Sequence, residues 1–386
     1  MKVTGDQALV KKINKSIILH TIRMQSPVSR ARVSEITGLN KATVSNLVAE
    51  LCGHELVTEA GPGESSGGRK PLMLHFNSKA GSVIGIELQV KQLKAVLCDL
   101  DGSILHELDR QLEVHNLPYV LDKMKSMISE LIAAAPSSPY GIVGIGVGVP
   151  GMVDEHGVVL FAPNLGWEMV DLRGILEQSF EVPVTIDNEA NAGAQGELNF
   201  GAARDVRHLL YISAGSGIGS GIIIGGELYK GARGYAGETG HMTIEAEGKP
   251  CSCGSRGCWE LYASEKTYDN PGLALPARST SELVRHALEG QEDTLRHFNT
   301  IGEYLGIGVT NLINSFNPEL IVIGGALSEA EPWLGEPLRR VVAERTLPYH
   351  KQQLEIIFSR LGSRGTMVGA GFSAVMHFLG NIRVTL

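Results

Sequence analysis

Two short segments carry the residues best suited to chemistry. Glu238-Thr239-Gly240-His241 is followed, nine residues on, by Cys251-Ser252-Cys253-Gly254-Ser255-Arg256-Gly257-Cys258-Trp259-Glu260. One imidazole and three thiols at these spacings, His241, Cys251, Cys253 and Cys258, suit a tetrahedral zinc site of Cys₃His type. The intervening glycines permit the tight turns that such a grip demands. Glu238 precedes the histidine and Glu260 follows the last cysteine, so a folded zinc loop holds two acids around one small volume, as a sugar pocket requires. Ordinary core cysteines or a disulfide are the alternatives. Three of the five cysteines fall within residues 251–258 among Ser, Gly and Arg, which are poor core material, so the pattern favours a structural metal. Cys52 and Cys98 have no partners at metal spacing and read as buried apolar positions.

The elements that position these residues belong to a chain of 386 residues, 43% hydrophobic and 20% charged, which suits a soluble protein of two or three domains. Residues 1–20 have no apolar signal core, and no stretch approaches the length of a membrane span. No membrane partner is expected. A cytoplasmic setting, where thiols stay reduced, agrees with a thiolate metal site. The net charge of −8 is unevenly spread: residues 1–80 hold seven Lys and four Arg against one Asp and five Glu. A basic head on an acidic body implies that the head meets a polyanion.

Within that head, residues 10–25 show helical apolar spacing through Val10, Ile13, Ile17, Ile18, Thr21 and Ile22. A second helix is expected over Arg30–Thr37, ending at Gly38, and a third begins at Asn40 with Val44, Leu47, Val48 and Leu51 as its apolar stripe. Asn40, Lys41, Thr43, Ser45 and Asn46 face outward near the start of the third helix and are the candidate base-reading positions of a helix-turn-helix. Leu56–Ala60 and Leu72–Phe76 then predict a hairpin. Its connection carries Gly67-Gly68-Arg69-Lys70, a slim wing whose Arg69 and Lys70 suit a phosphate backbone or a narrow minor groove. A plain three-helix bundle explains the helices but neither the wing nor the charge asymmetry.

Beyond Phe76, strands and helices alternate. Strands are expected at 83–87, 94–99, 104–108, 141–149 and 182–187, with helices at 119–135 and 190–198. A second set follows, with strands at 208–213, 221–224, 320–323 and 354–358 and helices at 283–289, 294–316 and 332–346. The repetition predicts two similar α/β lobes with a cleft at the carboxyl ends of their strands. Residues 267–281, with Pro271 and Pro276, read as a surface loop.

The Glu-Thr-Gly-His and Cys-x-Cys-Gly-x-x-Gly-Cys-x-Glu segments, with Asn188-Glu189-Ala190-Asn191 and Gly215-Ser216-Gly217-Ile218-Gly219 before them, resemble the ROK family of repressors, open reading frames and sugar kinases. The resemblance covers nearly the whole chain. Its winged-helix members are transcriptional regulators, and the similarity is greatest to those that respond to xylose. It implies a winged helix-turn-helix followed by a two-lobed actin/hexokinase-like α/β fold with a structural zinc site. The expected domains are residues 1–78 for DNA binding, 79–192 with 363–386 for the first lobe, and 193–362 for the second. By position it implies sugar contacts at Asn164, Asn188, Glu189, Glu238, His241 and Glu260, and zinc ligands at His241, Cys251, Cys253 and Cys258. Operator DNA, D-xylose and a second copy of the chain in a homodimer are the implied partners.

The rival reading is an ATP-dependent sugar kinase. The family's kinases place Asp-x-Gly-Gly-Thr at the first phosphate turn, where this chain has Glu87-Leu88-Gln89-Val90-Lys91. Loss of both glycines obstructs phosphate approach. Glu189 stands where those kinases carry the catalytic Asp, and one extra methylene displaces the carboxylate enough to impair proton transfer. A sensor without enzymatic activity is therefore expected.

Overall fold

The computed structural model describes residues 7–62, 72–269, 275–352, 354–362 and 364–380; Arg69 and Lys70 lie outside them. The chain opens with α1 (Gln7–Gln25), β1 (Val28–Ser29), α2 (Arg30–Thr37), α3 (Lys41–Gly53), β2 (Val57–Pro62) and β3 (Leu72–Phe76). Ser29 caps α2 by accepting from Arg32 N, and Gly38, at φ 69°, turns the chain between the two helices. Strand β3 lies between β1 and β2, and Val57 stands opposite Phe76. Ile18, Leu19 and Ile22 of α1 are buried, but Val10 and Ile17 remain 48% and 42% exposed. The amino-terminal half of α1 flanks an open groove beside α3, so the predicted stripe is covered only at its far end.

Next come β4 (Ser82–Leu88), β5 (Gln92–Asp99), β6 (Ile104–Gln111), α4 (Leu117–Ala134), β7 (Ile142–Val149), β8 (Met152–Val153), β9 (Val159–Ala162), β10 (Trp167–Val170), α5 (Leu172–Phe180), β11 (Val184–Asn188) and α6 (Glu189–Phe200). The remainder holds β12 (Leu209–Ala214), β13 (Ile218–Ile224), β14 (Glu227–Leu228), α7 (Glu260–Ala263), α8 (Thr280–Leu288), α9 (Glu292–Phe316), β15 (Leu320–Gly324), α10 (Glu331–Arg345), β16 (Glu355–Phe358) and α11 (Arg364–Gly380). The first large sheet runs β11-β7-β4-β5-β6 and the second β14-β13-β12-β15-β16. In each, an antiparallel meander leads to two parallel strands, with β7 beside β4 and β15 beside β12. The predicted duplication is present strand for strand.

Elements β1, β8, β9, β10, β14, α5, α7 and α11 were not anticipated from the sequence pattern. The small sheet β10-β9-β8 is built from strands of two to four residues, too short for alternation to register. Helix α11 contains Gly365, Gly369 and Gly371, which propensity counts against a helix. Contact geometry accounts for them. A Cβ at Gly85 or Gly146 would collide with the α11 carbonyls of Met367 or Ala370, and one at Gly369 would collide with Ala192 O of α6. Helix and strands therefore meet backbone to backbone.

Two expectations need correction. The supposed surface loop 267–281 begins in a 3₁₀ turn, Glu265–Asp269, anchored by the fully buried Tyr268, whose hydroxyl lies 3.0 Å from Thr280 Oγ1; residues 270–274 lie outside the described set. Cys98 is buried as expected, but Cys52 is only half-buried, because it sits near the end of α3 where the head thins. No helix among the described residues is long and apolar enough to cross a membrane. The backbone contact supplies a test: Gly146→Ala should destabilise the protein by about 1–3 kcal/mol or more, read from denaturant midpoints, because the collision is with backbone rather than a movable side chain.

Candidate functional site

The four metal candidates converge. The ligand atoms of His241, Cys251, Cys253 and Cys258 all lie within 4.8 Å of one another. Cys251 Sγ is 3.8 Å from His241 Nδ1, and Cys253 Sγ is 3.6 Å from Cys258 Sγ. A tetrahedron with Zn–S near 2.3 Å has edges of about 3.8 Å, whereas a disulfide requires about 2.0 Å, so the donors fit a zinc-sized cation and all three cysteines are free. Local backbone builds the cage: Cys251 N donates to Ser255 O at 2.9 Å, Gly254 N to Cys251 O at 3.0 Å, and Gly254 and Gly257 take φ of 90° and 68°. Burial and the neighbouring thiols push Cys258 up to about 12, while the backbone at Ser255 draws the exposed Cys253 down. A divalent cation would supply the charge that several thiolates need together.

The acids around this cage share one electrostatic environment. Glu260, at the start of α7, is 4% exposed; its Oε1 lies 2.6 Å from Lys266 Nζ and 3.8 Å from His241 Nδ1. Glu238 keeps an exposed edge, yet partial desolvation and then Glu260 raise its carboxyl, opposed by His241. The segment carrying Glu238 is pressed onto β13: Ser220 N donates to Gly237 O at 2.9 Å, and the Ser220 and Thr239 hydroxyls share a hydrogen bond.

From the first sheet, α6 brings Asn188 and Glu189. Burial, then Glu87 and Glu238, raise Glu189 to about 8, against a hydrogen bond from Ser213. Burial also raises Glu87 to about 6. Near neutral pH, Glu189 therefore carries a proton and can donate a hydrogen bond. Asn188 is largely committed to structure. Its Oδ1 caps α6 through Ala190 N at 2.8 Å and its Nδ2 donates to Gly151 O at 3.0 Å, leaving one N–H for a ligand. Asn164 is exposed on the β9–β10 turn, which Trp167 anchors through His115 O at 2.9 Å.

Sequence reasoning missed Asp187, Lys230 and Lys266. Asp187 accepts from Asn188 N at 2.8 Å and Asn191 Nδ2 at 3.0 Å, and pairs with Lys230 Nζ at 2.5 Å. Its place just before the Asn-Glu pair was the available signal; the two lysines, distant in sequence from their acids, offered none.

Between the sheets lies a cavity of about 630 Å³ bordered by Glu87, Gln89, Val90 and Lys91 on one side and by Ser216 and Gly325 on the other. The first phosphate turn is a tight hairpin closed by Gln89 N to Gln92 O at 2.9 Å, with side chains where slim backbone would be needed. Glu265 occupies the start of α8, accepting from Thr280 Oγ1 at 2.7 Å, so that helix terminus already faces a carboxylate.

On the head, Asn40 Oδ1 accepts from Thr43 N at 2.8 Å and serves as the cap of α3. Lys41 and Asn46 are exposed, and Thr43 and Ser45 half-buried. Thr43 and Asn46 border the groove beside α1. Arg30, not singled out from the sequence, ties α2 to Glu59 of β2 at 2.6 Å and to Ser45 O of α3 at 3.1 Å, fixing the two helices against the wing strands.

The xylose repressor of Bacillus spizizenii is 42% identical over 382 residues, covering 98% of this chain and 99% of that protein. A solved ROK family transcriptional regulator, described as a homologue of the Escherichia coli MLC protein, superposes with a TM-score of 0.82 at 28% identity, covering 97% and 98% of the two chains. A ROK family glucokinase from Streptomyces griseus, solved with glucose and AMPPNP, superposes with a TM-score of 0.66 at 28% identity; it covers 75% of this chain and 98% of its own. Residues 83–375 match the ROK family directly. With that match and a relative of this identity along the full chain, the protein belongs to the ROK family.

Proposed function

We propose that this protein is a sugar-responsive transcriptional repressor that binds operator DNA as a homodimer and is released by D-xylose. The observation that carries the reading is the union of a winged helix with a two-sheet cleft whose first phosphate turn is closed by Gln89, Val90 and Lys91. Similarity to named xylose repressors along both the head and the body supports D-xylose as the effector. The kinase alternative fails at the phosphate turn and at the acid-faced start of α8.

In this reading the division of labour is residues 1–78 for DNA, 79–192 with 363–386 for the first lobe and 193–362 for the second. Lys41, Thr43, Ser45 and Asn46 read or approach the major groove, with Asn40 fixing the start of α3, and Arg69 and Lys70 reach phosphate or minor groove. Asn164, Asn188, Glu189, Glu238, His241 and Glu260 surround the sugar. A protonated Glu189 donates to a hydroxyl, while Glu260, paired with Lys266, accepts. Zinc held by His241, Cys251, Cys253 and Cys258 would act structurally, fixing the loop from which Glu238 and Glu260 project. Each desolvated polar group needs a partner, so the set favours one hydroxyl pattern over others.

Three measurements test this reading. Operator affinity should fall about 5- to 150-fold in saturating D-xylose, a coupling of about 1–3 kcal/mol; unchanged affinity sinks the repressor-induction reading, and a stronger response to D-glucose sinks only the choice of sugar. Cys253→Ser should lose bound zinc by elemental analysis and lose sugar binding by calorimetry, and full sugar affinity in metal-free protein would contradict the structural role. For Glu189, whose ordinary value is 4.5, the folded protein keeps up to about pH 8 a proton that the unfolded chain releases earlier. Stability from this group therefore declines as pH rises from about 4.5 to 8. Glu189→Gln removes the decline, so its thermal midpoint should gain on wild type across that window and level off above it; parallel pH profiles for the two proteins would refute the assignment.

A further inference from the structure

The head is not tethered to the body by a free linker. Ile18 and Ile22 of α1 share one continuous apolar core with Val83, Val96, Val375 and Leu379 of the first sheet and α11. Tyr140 Oη adds a bond to His54 O at 2.9 Å. Into this apolar joint projects one cation, Arg23, from the last turn of α1. Its side chain is 4% exposed, its guanidinium stands 5.0 Å over the Phe372 ring, and its Nε is 3.5 Å from Asp101 Oδ1, a carboxylate that is itself 57% exposed. Neither Nε nor Nη1 makes a hydrogen bond. A buried guanidinium with one long ion pair is poorly compensated, and such groups lower the stability of the arrangement that buries them.

Helix α6 joins the same region to the acids of the candidate sugar site. Helix α6 starts at Glu189, capped by Asn188, and ends at Phe200. The Phe200 ring meets Phe372 edge-on at 5.5 Å, beneath Arg23. Phe200 also presses on Gly102, at φ 83°, in the turn that carries Asp101; a Cβ at Gly102 would collide with the ring. Twelve residues of helix span about 18 Å, and glycine contacts lock α6 to α11 along that length. A shift at Asn188 and Glu189 is therefore delivered to both contacts of Arg23, the ring and the turn bearing its acid.

We propose that Arg23, with Asp101 and Phe372, is a latch between the DNA-binding head and the first sheet, and that α6 links this latch to the sugar cleft. The incomplete pairing of Arg23 lowers the preference for the closed joint, so that the free energy of sugar binding acts on a balance already weakened at this point. Arg23 here is a positioning residue, touching neither sugar nor DNA. The inference rests on the sugar-responsive reading above.

The test uses full-length, zinc-loaded protein, with operator affinity measured by fluorescence anisotropy without and with saturating D-xylose, D-xylose affinity measured by calorimetry, and the thermal midpoint recorded alongside. Arg23→Met replaces the guanidinium with an apolar chain and should raise the midpoint while reducing the xylose-induced change in operator affinity roughly tenfold. Asp101→Asn, on a solvent-facing turn, leaves the cation unpaired; it should lower the midpoint and also reduce the change. Opposite stability shifts with a common loss of coupling are the signature that a merely structural role would not give. If wild type responds to D-xylose and both variants keep its ratio of operator affinities, the latch is wrong; should Arg23→Met fail to fold, Asp101→Asn alone decides. A wild type that does not respond overturns the functional reading on which the latch rests.

Discussion

The structure depends on a contact made without side chains. Where α11 crosses β4 and β7, Gly85 and Gly146 bring strand backbone against the carbonyls of Met367 and Ala370, and Gly369 and Gly196 do the same between α11 and α6. Backbone at this range has no rotamers with which to adjust, so the relative placement of sheet, α11 and α6 is set to a fraction of a side chain's width. The amino terminus of α6 carries Asn188 and Glu189. Their positions are inherited from this packing rather than from local hydrogen bonds alone.

The second sheet meets the same demand by other means. Its contribution to the cleft arrives on a loop, Glu238 to Glu260, that has little apolar material with which to hold itself. Glycine turns press it onto β13, and the side chains of His241, Cys251, Cys253 and Cys258, which could hold a metal ion, gather its ends at one point. One wall is thus set by close packing, and the other carries a His/Cys cluster suited to a metal ion. Between them, burial with Glu87 and Glu238 raises Glu189 to about 8, so that it can donate a hydrogen bond near neutral pH.

Much of this was legible in the sequence because the decisive features are local. Helix α2 was readable from Ser29 and Gly38, α3 from Asn40 as its cap, and the duplicated strand order from two rounds of the same alternation. The candidate metal-binding residues His241, Cys251, Cys253 and Cys258 were legible from spacing, and the fold gathers them. What stayed hidden depends on distant partners: α11 looks unhelical until the glycine strands beneath it are known, Tyr268 looks like loop until Thr280 and His297 surround it, and Lys230 and Lys266 gain meaning only beside Asp187 and Glu260. Asn40 and Asn188 show the converse. Both were read as ligand-contacting, and in both the side-chain oxygen is engaged in capping a helix.

The shared core beneath the winged helix also bears on how the molecule is made. Met367, Ala374, Val375 and Leu379 of α11 pack in the same cluster as Val28, Val44 and Leu74 of the head, some three hundred residues earlier in the chain. Contacts of such sequence separation form late, after the entropy of closing a long loop has been met. The head thus emerges first during synthesis but acquires its full core only when the last helix docks. An unfinished or carboxy-truncated chain presents α3 on an incomplete support, and competence to occupy an operator is thereby linked to completion of the domain that senses the sugar.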